Sequence, residues 1–329
     1  SATCDPPRQP HRTRRRPDRT MTASPAPALP PQVRVFVRDW LSANNVLLHG
    51  RDGPVLIDTG YASHAPLTLA LVASADGIGA APLALVVNTH GHSDHVGGNA
   101  ALVRRYRCPV AFPANEADAV ARWDHKALLY DYADQRVERF CVDRTLAAGS
   151  RSVWGDLEWQ ALAAPGHDMG ALVFFNPEHR ILISGDALWH SGFGFVMPRA
   201  LDPAALPATR ATLDLIAALD VRIVIPGHGA PFGDVAPALE RAYARLAGFE
   251  ADDMHTARHA LKVILAFHLL DVRRMSQAAL AAYVANVGIY RDLNAALLKL
   301  SPAALADALV SSLERAGVLR RDGDAILAA

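Results

Sequence analysis

The 329-residue chain has few cysteines, no long apolar run and no excess of charge of either sign. Cys4, Cys108 and Cys141 are far apart, which excludes a zinc-finger or disulfide framework and favours a reduced, cytoplasmic setting. No apolar run approaches the roughly 18 residues that cross a bilayer, so we expect no membrane partner. Lys plus Arg and Asp plus Glu both number 33, which disfavours a protein that coats nucleic acid.

Composition divides the chain into three parts. Residues 1–30 are rich in arginine and proline without an apolar stretch, so we expect disorder rather than a secretory signal, and Met21 is a candidate translation start. Residues 31–250 alternate short β-type runs with helical runs, which predicts an α/β catalytic domain. Residues 251–329 are rich in alanine and leucine and end in a predicted hairpin, which indicates a helical, winged-helix-like C-terminal domain.

Two segments leave alternatives open. The C-terminal domain could bind nucleic acid or serve packing and dimerisation; because it is not strongly basic, we favour the second role, which leaves a homo-oligomer open. The stretch 116–139 is polar, carries aromatic residues and is predicted to be helical. It would act either as a lid or as a surface helix pair on the sheet.

The densest group of polar residues follows the predicted strand 85–88 and has the sequence THGHSDHVGG. His90 and His92 alternate along an extended loop and can point the same way, whereas Asp94 and His95, at the turn into a helix, can face an adjacent centre. Imidazole and carboxylate ligands suit zinc, iron or manganese. Three further candidate ligands each follow a predicted strand: His167, Asp186 and His228.

This order of residues, H-x-H-x-D-H followed by H, D and H, resembles that of the metallo-β-lactamase fold superfamily over residues 33–249. The resemblance implies a four-layer αβ/βα sandwich with the site at one edge, between two sheets. It implies that Asp186 bridges two metals and that Asp58, in VLIDTG, orients ligands from outside the coordination sphere. The other implied ligands are His90, His92 and His167 at the first metal and Asp94, His95 and His228 at the second.

The same resemblance implies a cofactor and a mechanism. The cofactor is a pair of divalent metal ions, with zinc expected and iron or manganese as alternatives. A hydroxide that bridges two such ions exists near neutral pH and attacks a carbonyl carbon or a phosphorus. Asp94 and Asp186 are the expected catalytic residues, and Asp94 can also pass a proton to the leaving group. No G-x-S-x-G sequence occurs, which disfavours a serine nucleophile.

Departures from individual branches of the family narrow the substrate. The bridging Asp186 is present and no cysteine stands among the ligands, unlike in the lactamases, and Trp189 occupies the position where acyl-homoserine lactonases carry tyrosine. The glutathione-binding residues of glyoxalase II-type thioesterases have no match in the C-terminal domain. The segment after Asp186 suggests a pocket for an apolar acyl or aromatic group; its candidate residues are Trp189, His190, Phe193, Phe195 and Met197.

We therefore predict a metal-dependent hydrolase, of EC 3.1 type, that acts on a small-molecule thioester or ester-like acyl substrate. One alternative is an RNA or phosphodiester nuclease that uses the same metals. The other is a mononuclear-iron oxygenase of the persulfide type or a ligand-sensing protein. Metal content and a comparison of thioester with phosphodiester hydrolysis separate the three.

Overall fold

The structure, a computed structural model, describes residues 28–329. The predicted disorder concerns residues 1–30, of which residues 1–27 lie outside this range. Of the next residues, Leu29 packs against the core between the two main sheets. The described chain forms a sandwich of two mixed β-sheets with helices on both outer faces, followed by a C-terminal module of helices and a small sheet.

The first sheet contains six strands in chain order. The pairs β1–β2 and β2–β3 are antiparallel, and β3 to β6 are parallel. The strands are β1 (Val33–Phe36), β2 (Asn45–Leu48), β3 (Val55–Ile57), β4 (Leu85–Val87), β5 (Val110–Pro113) and β6 (Arg144–Leu146).

The second sheet contains five strands in the order β11-β10-β9-β8-β7. The pair β10–β11 is parallel and the other pairs are antiparallel. The strands are β7 (Arg151–Trp154), β8 (Leu157–Ala163), β9 (Leu172–Asn176), β10 (Ile181–Gly185) and β11 (Ile223–Pro226).

Helices cover the outer faces of both sheets. Two of them end at a residue with a left-handed backbone, α3 at Arg107 and α4 at Trp123. The helices of this part are α1 (Ala65–Val72), α2 (Ser93–Val96), α3 (Asn99–Tyr106), α4 (Ala114–Arg122), α5 (Ala205–Ala218) and α6 (Val235–Ala251).

The alternation of side chains along each strand explains the layering. In β2, Val46 and Leu48 point to the core between the sheets, where they join Phe174 of the second sheet, whereas Leu47 points to the helices outside. Because both faces of these strands are covered, every residue of β2 is buried and apolar residues occupy both registers. The expected four-layer αβ/βα sandwich is therefore confirmed.

The C-terminal module has its own core and a three-stranded sheet of order β12-β14-β13. The first strand, absent from the sequence prediction, pairs with the predicted hairpin, and we interpret this order of elements as a winged helix. A π-helix spans Asn294–Leu298. The other elements are α7 (Asp253–Val272), β12 (Arg274–Ser276), α8 (Gln277–Asn286), α9 (Gly288–Leu293), α10 (Pro302–Arg315), β13 (Leu319–Asp322) and β14 (Ala325–Ala328).

Within residues 28–329, no single helix has both the length and the apolarity needed to span a bilayer. One bent pair, Gly288–Leu298 with Pro302–Arg315, meets the criteria of length and composition when the two helices are taken together, with 96° between them.

The predicted helix over residues 116–139 is wrong beyond Arg122. Left-handed backbone conformations at Trp123, Leu129 and Asp134 interrupt it, and only a short 3₁₀ turn at Asp131–Ala133 follows. We call residues 123–139 the strap, because they run between the sandwich and the C-terminal module and contact both.

Candidate metal centre

Five strand ends deliver the polar residues of the site to one edge of the sandwich. Asp58 directly follows β3, and the H-x-H-x-D-H motif begins shortly after β4. In the second sheet β8, β10 and β11 are followed by the remaining three candidate ligands. Because the two sheets face each other, the loops at these strand ends meet. The residues brought together are His90, His92, Asp94, His95, His167, Asp186 and His228.

Their side chains form two ligand groups. The first contains His90, His92 and His167, and its ligand atoms all lie within 4.8 Å of one another. Within it, His92 Nδ1 and His167 Nε2 are 2.7 Å apart. The three imidazole rings meet at nearly right angles, with centroids 4.5–5.0 Å apart, so that their nitrogen atoms converge on one point.

The second group contains Asp94, His95, Asp186 and His228. His228 Nε2 lies 2.9 Å from Asp94 Oδ2. Asp186 faces both groups, since its Oδ1 is 3.3 Å from His95 Nε2 while its Oδ2 is 3.3 Å from His167 Nε2. This is the position that a bridging carboxylate requires.

Hydrogen bonds from outside the cluster fix three of the histidine rings, and in one of them His167 Nδ1 donates to the carbonyl of Phe195. His95 Nδ1 donates to Asp58 Oδ2 at 2.7 Å. The Thr89 hydroxyl donates to the same Asp58 oxygen at 2.8 Å and accepts from His90 Nδ1 at 3.0 Å. With both Nδ1 atoms held in this way, the Nε2 atoms of His90 and His95 are directed into the cluster.

A buried pair of carboxyl groups lies behind the first ligand group. Asp168 Oδ2 is 3.6 Å from His92 Nε2, and the buried Glu116 carboxyl lies beside Asp168. Burial, with Asp168 beside it, raises the pKa of Glu116 well above its usual range. The glycine at position 170 makes room for this arrangement, because a Cβ there would lie 2.4 Å from Glu116 Cγ. The pKa of Asp168 is raised as well, so both carboxyl groups favour the protonated form behind His92.

The electrostatics of the cluster suit cations held by neutral imidazoles. Burial lowers the pKa of His90 well below its usual value and lowers the pKa of His92 and of His167 to about 4. His95 behaves in the opposite way: burial alone would lower its pKa, but the carboxylates around it raise that pKa well above its usual value. The carboxylates of the second group thus favour a positive charge at this position.

The residues present fit a pair of metal ions. His90 Nε2 and His95 Nε2 are buried and have no hydrogen-bond partner among the described residues, although each points at the cluster. Buried imidazole nitrogens without a partner are costly unless they bind a ligand. Gly227 leaves room for the Asp186 carboxylate, since a Cβ at position 227 would lie 2.2 Å from Asp186 Oδ1. This set of imidazole and carboxylate ligands suits zinc, iron or manganese.

A cavity of about 90 Å³ opens at the cluster. Two of the five predicted pocket residues line it, Trp189 and Phe195. Trp189 also donates from its indole nitrogen to Asp186 Oδ1 at 3.1 Å, so it both fixes a ligand and forms the wall. From the cluster itself, the lining residues are His92, Asp94, His167, Asp186 and His228.

The other three predicted pocket residues lie elsewhere, which corrects the sequence prediction. Phe193 is fully buried against α6, edge to face with Phe249. His190 is at the surface, where its Nε2 is 2.9 Å from Asp234 Oδ2. Met197 packs between the hydrophobic cores and lines a separate cavity. The segment after Asp186 turns tightly, so adjacent side chains diverge to different sides.

Much of the cavity wall was missed from the sequence because it comes from distant parts of the chain. The strap and the C-terminal module supply it, and the helical periodicity of these parts indicates a buried face but not what it faces. These lining residues are Leu128, Leu129, Ala133, Gln135, Val263, Ile264, Phe267 and Ile289.

Comparison with known sequences agrees with the ligand pattern. The family model described as Metallo-beta-lactamase superfamily matches residues 38–228. An acyl-coenzyme A thioesterase, MBLAC2, of Gallus gallus is 30% identical over 217 residues, which cover 60% of this chain and 76% of that protein. A hydroxyacylglutathione hydrolase of Rhizobium etli is 29% identical over 120 residues, which cover 36% of this chain and 38% of that protein. This chain therefore spans just over a third of the latter relative.

Comparison with solved structures extends the likeness to the fold. A beta-lactamase domain protein from Burkholderia ambifaria superposes with a TM-score of 0.56 and 21% identity, and the superposition covers 92% of this chain and 95% of that protein. Coverage of this extent reaches beyond the matched family range into the C-terminal module. At this identity the likeness concerns the fold alone.

Proposed function

The chain belongs to the metallo-beta-lactamase superfamily of hydrolases, and from this premise we propose that it hydrolyses a thioester or ester-like acyl substrate with the help of two divalent metal ions. One observation carries the proposal: the two ligand groups open onto a cavity whose wall, away from the ligands, is almost entirely apolar. An acyl group can occupy such a cavity while its carbonyl carbon lies beside the ligand cluster.

The protein's contribution to the reaction follows from its own residues. His90, His92 and His167 would hold one cation, and the second group would hold the other, with Asp186 between them. Bound there, two divalent cations supply Lewis acidity that makes water nucleophilic near neutral pH. The hydrogen bond from Trp189 keeps the Asp186 carboxylate oriented between the two groups.

Asp94 and the apolar wall have separate roles in this proposal. Asp94 lines the cavity as well as belonging to the ligand cluster, so its carboxylate can accept the proton that the attacking water loses and pass it to the leaving group. Phe195 and Phe267 exclude bulk water from the acyl side of the cavity. Exclusion of water strengthens the electrostatic interactions of the cluster with a developing negative charge.

The relatives support the acyl assignment. The Gallus gallus relative is named as an acyl-coenzyme A thioesterase and the Rhizobium etli relative as a hydroxyacylglutathione hydrolase, and both names denote thioester hydrolysis. Both activities act on a thioester carbonyl, and we propose that the substrate of this chain contains the same group. The thiol part of the substrate is left to experiment.

The test combines metal content with a comparison of substrates. We expect near two metal ions per chain and turnover of an acyl thioester, with no turnover of bis(p-nitrophenyl) phosphate. Asp186→Asn should lower kcat/KM by roughly a hundredfold or more and reduce the metal content, because it removes the charge shared by both groups. The matched control Asp220→Asn changes an exposed carboxylate that pairs with Arg180 at the surface and should leave both quantities unchanged.

Two outcomes would overturn the proposal. Faster cleavage of the phosphodiester than of the thioester would favour the nuclease alternative. A single iron per chain, with oxygen consumption on a persulfide and no hydrolysis of the thioester, would favour the oxygenase.

A further inference from the structure

The cavity at the ligand cluster takes a large part of its wall from the C-terminal module. Ile264 and Phe267 of α7 and Ile289 of α9 line it. Ile264 and Ile289 also belong to the hydrophobic core of the module, which extends to Ala133 of the strap and, at its margin, to Phe195. The wall of the cavity is therefore continuous with the core that joins the module to the catalytic part.

The wall offers no free polar group to a substrate away from the ligands. Among the lining residues outside the ligand cluster, only Ser93 and Gln135 are polar, and they satisfy each other: Ser93 Oγ donates to Gln135 Oε1 at 2.5 Å. Gln135 Nε2 donates to the carbonyl of Ala133 at 3.1 Å. A charged or strongly polar acyl group would lose its hydration here without gaining a partner. The cavity thus selects an uncharged, apolar acyl chain.

The far wall is held at a fixed distance by polar contacts between the strap and the module. The Tyr132 hydroxyl donates to Asp292 Oδ2 at 3.0 Å. Asp292 belongs to α9, the helix that also carries Ile289. On α7, His268 Nδ1 lies 2.9 Å from Asp134 Oδ2. Contacts of this kind on both helices prevent the module from receding to admit a longer chain.

From these contacts we infer that the C-terminal module, through Ile264, Phe267 and Ile289, determines the length of the acyl chain that the site accepts. The inference rests on the proposed function, since it assigns the acyl end of the substrate to this cavity. It gives the module a role in specificity that is separate from the metal ligands, all of which precede it in the sequence.

Adjacent residues of α7 provide a matched pair of variants. Ile264 lines the cavity, whereas Leu265 points into the module core and does not. Both are buried apolar side chains of the same size in the same helix. Ile264→Ala and Leu265→Ala should therefore destabilise the protein to a similar extent, by a few kcal/mol each, but only the first enlarges the substrate cavity.

The experiment measures kcat/KM for a series of N-acetylcysteamine thioesters with acetyl, butyryl, hexanoyl, octanoyl and decanoyl groups. In the wild type we expect kcat/KM to rise about fourfold for each methylene that the cavity accommodates and then to fall when the wall is reached. Ile264→Ala should shift the fall to a longer acyl chain, by about two methylenes, whereas Leu265→Ala should keep the wild-type profile. Phe267→Ala, at a less buried position, should produce the same shift as Ile264→Ala with less effect on folding.

A flat profile across the series, or the same profile in Ile264→Ala and Leu265→Ala, would overturn the inference while leaving thioester hydrolysis intact. If the wild type hydrolyses none of the thioesters, the proposed function fails, and the inference is then judged by binding. Calorimetry with butyrate, octanoate and decanoate on the zinc-loaded protein measures this binding directly. The inference requires tighter binding of longer carboxylates up to the same limit and a shift of that limit in Ile264→Ala alone.

Discussion

Trp40 lies flat against the imidazole of His228, with ring centroids 5.5 Å apart and planes 8° from parallel. Trp189 meets both rings at a steep angle, with its centroid 5.6 Å from that of Trp40 and 5.1 Å from that of His228. Trp40 is nevertheless 54% exposed, so its free face borders solvent at the site. Two of the five tryptophans of the chain are thus in contact with a candidate ligand of the second metal.

This stacking predicts that tryptophan fluorescence reports metal binding. Addition of Co²⁺ to the metal-free protein should quench the fluorescence, because cobalt accepts excitation energy from nearby indoles. Trp40→Phe should lose a large part of the quenching. Trp123→Phe, whose ring packs on Tyr130 and Phe140 in and beside the strap, should retain it. Equal quenching in the two variants would mean that the cobalt binds elsewhere.

The contact between Asp58 and His95 predicts a loss of metal affinity. Asp58→Asn keeps the shape of the side chain and tolerates the left-handed backbone at this position, where φ is 56°, but removes the charge that orients His95. We expect the affinity for zinc to fall about 10- to 100-fold, measured by competition with a chromophoric chelator. Asp156→Asn is the control, because Asp156 has a φ of 58° and pairs with Arg51 at the surface. Equal affinities in the two variants would contradict an orienting role.

The raised pKa of Glu116 predicts a dependence of stability on pH. The folded state keeps a proton that the unfolded state releases above its ordinary pKa, so the free energy of unfolding falls as pH rises from that value through the folded pKa, by about 1.4 kcal/mol per pH unit. Glu116→Gln is uncharged at every pH and should lose this slope, which makes it the more stable protein at alkaline pH. Denaturant titrations of both proteins in saturating zinc measure the difference. Parallel curves across the pH range would contradict the prediction.

The C-terminal module is predicted not to bind nucleic acid. The exposed residues of α10 include Ala303, Ala304 and the acidic Asp307, and the nearby Arg321 of the hairpin already pairs with Asp307 and Glu314. A helix whose one basic residue is Arg315, in its last turn, offers little cationic surface to phosphates. Fluorescence anisotropy with labelled duplex DNA and single-stranded RNA at low salt should show no binding; a salt-dependent signal would reopen the nuclease alternative.

The ligand cluster could be predicted because its residues are local in sequence or follow recognisable strands. Four candidate ligands fall within 90–95, and each of the other three stands just after an apolar run that ends in glycine-containing loops. The sandwich followed similarly from short strands such as β2, in which both registers are apolar. These signals depend on neighbours in the chain, which a single sequence displays.

The wall of the cavity at the ligand cluster could not be predicted because its members are distant in sequence and chemically ordinary. Ile264 and Leu265 are adjacent apolar residues of one helix, and nothing in the sequence distinguishes the one that faces the cavity. Phe193 looked like a pocket residue because it follows Asp186, but a tight turn directs it into the core against Phe249. The strap resembles a helix in composition, yet its breaks at Leu129 and Asp134 are set by contacts with the module.

Each ligand group draws on both sheets, and this division has a consequence for biosynthesis. The first half of the chain emerges from the ribosome with His90, His92, Asp94 and His95, but these residues lack the partners that complete either group. His228 emerges later still, and the C-terminal module that lines the cavity comes last. Metal capture at both centres is therefore late in synthesis, because neither ligand group is complete until residue 228 has emerged and the second sheet has folded against the first.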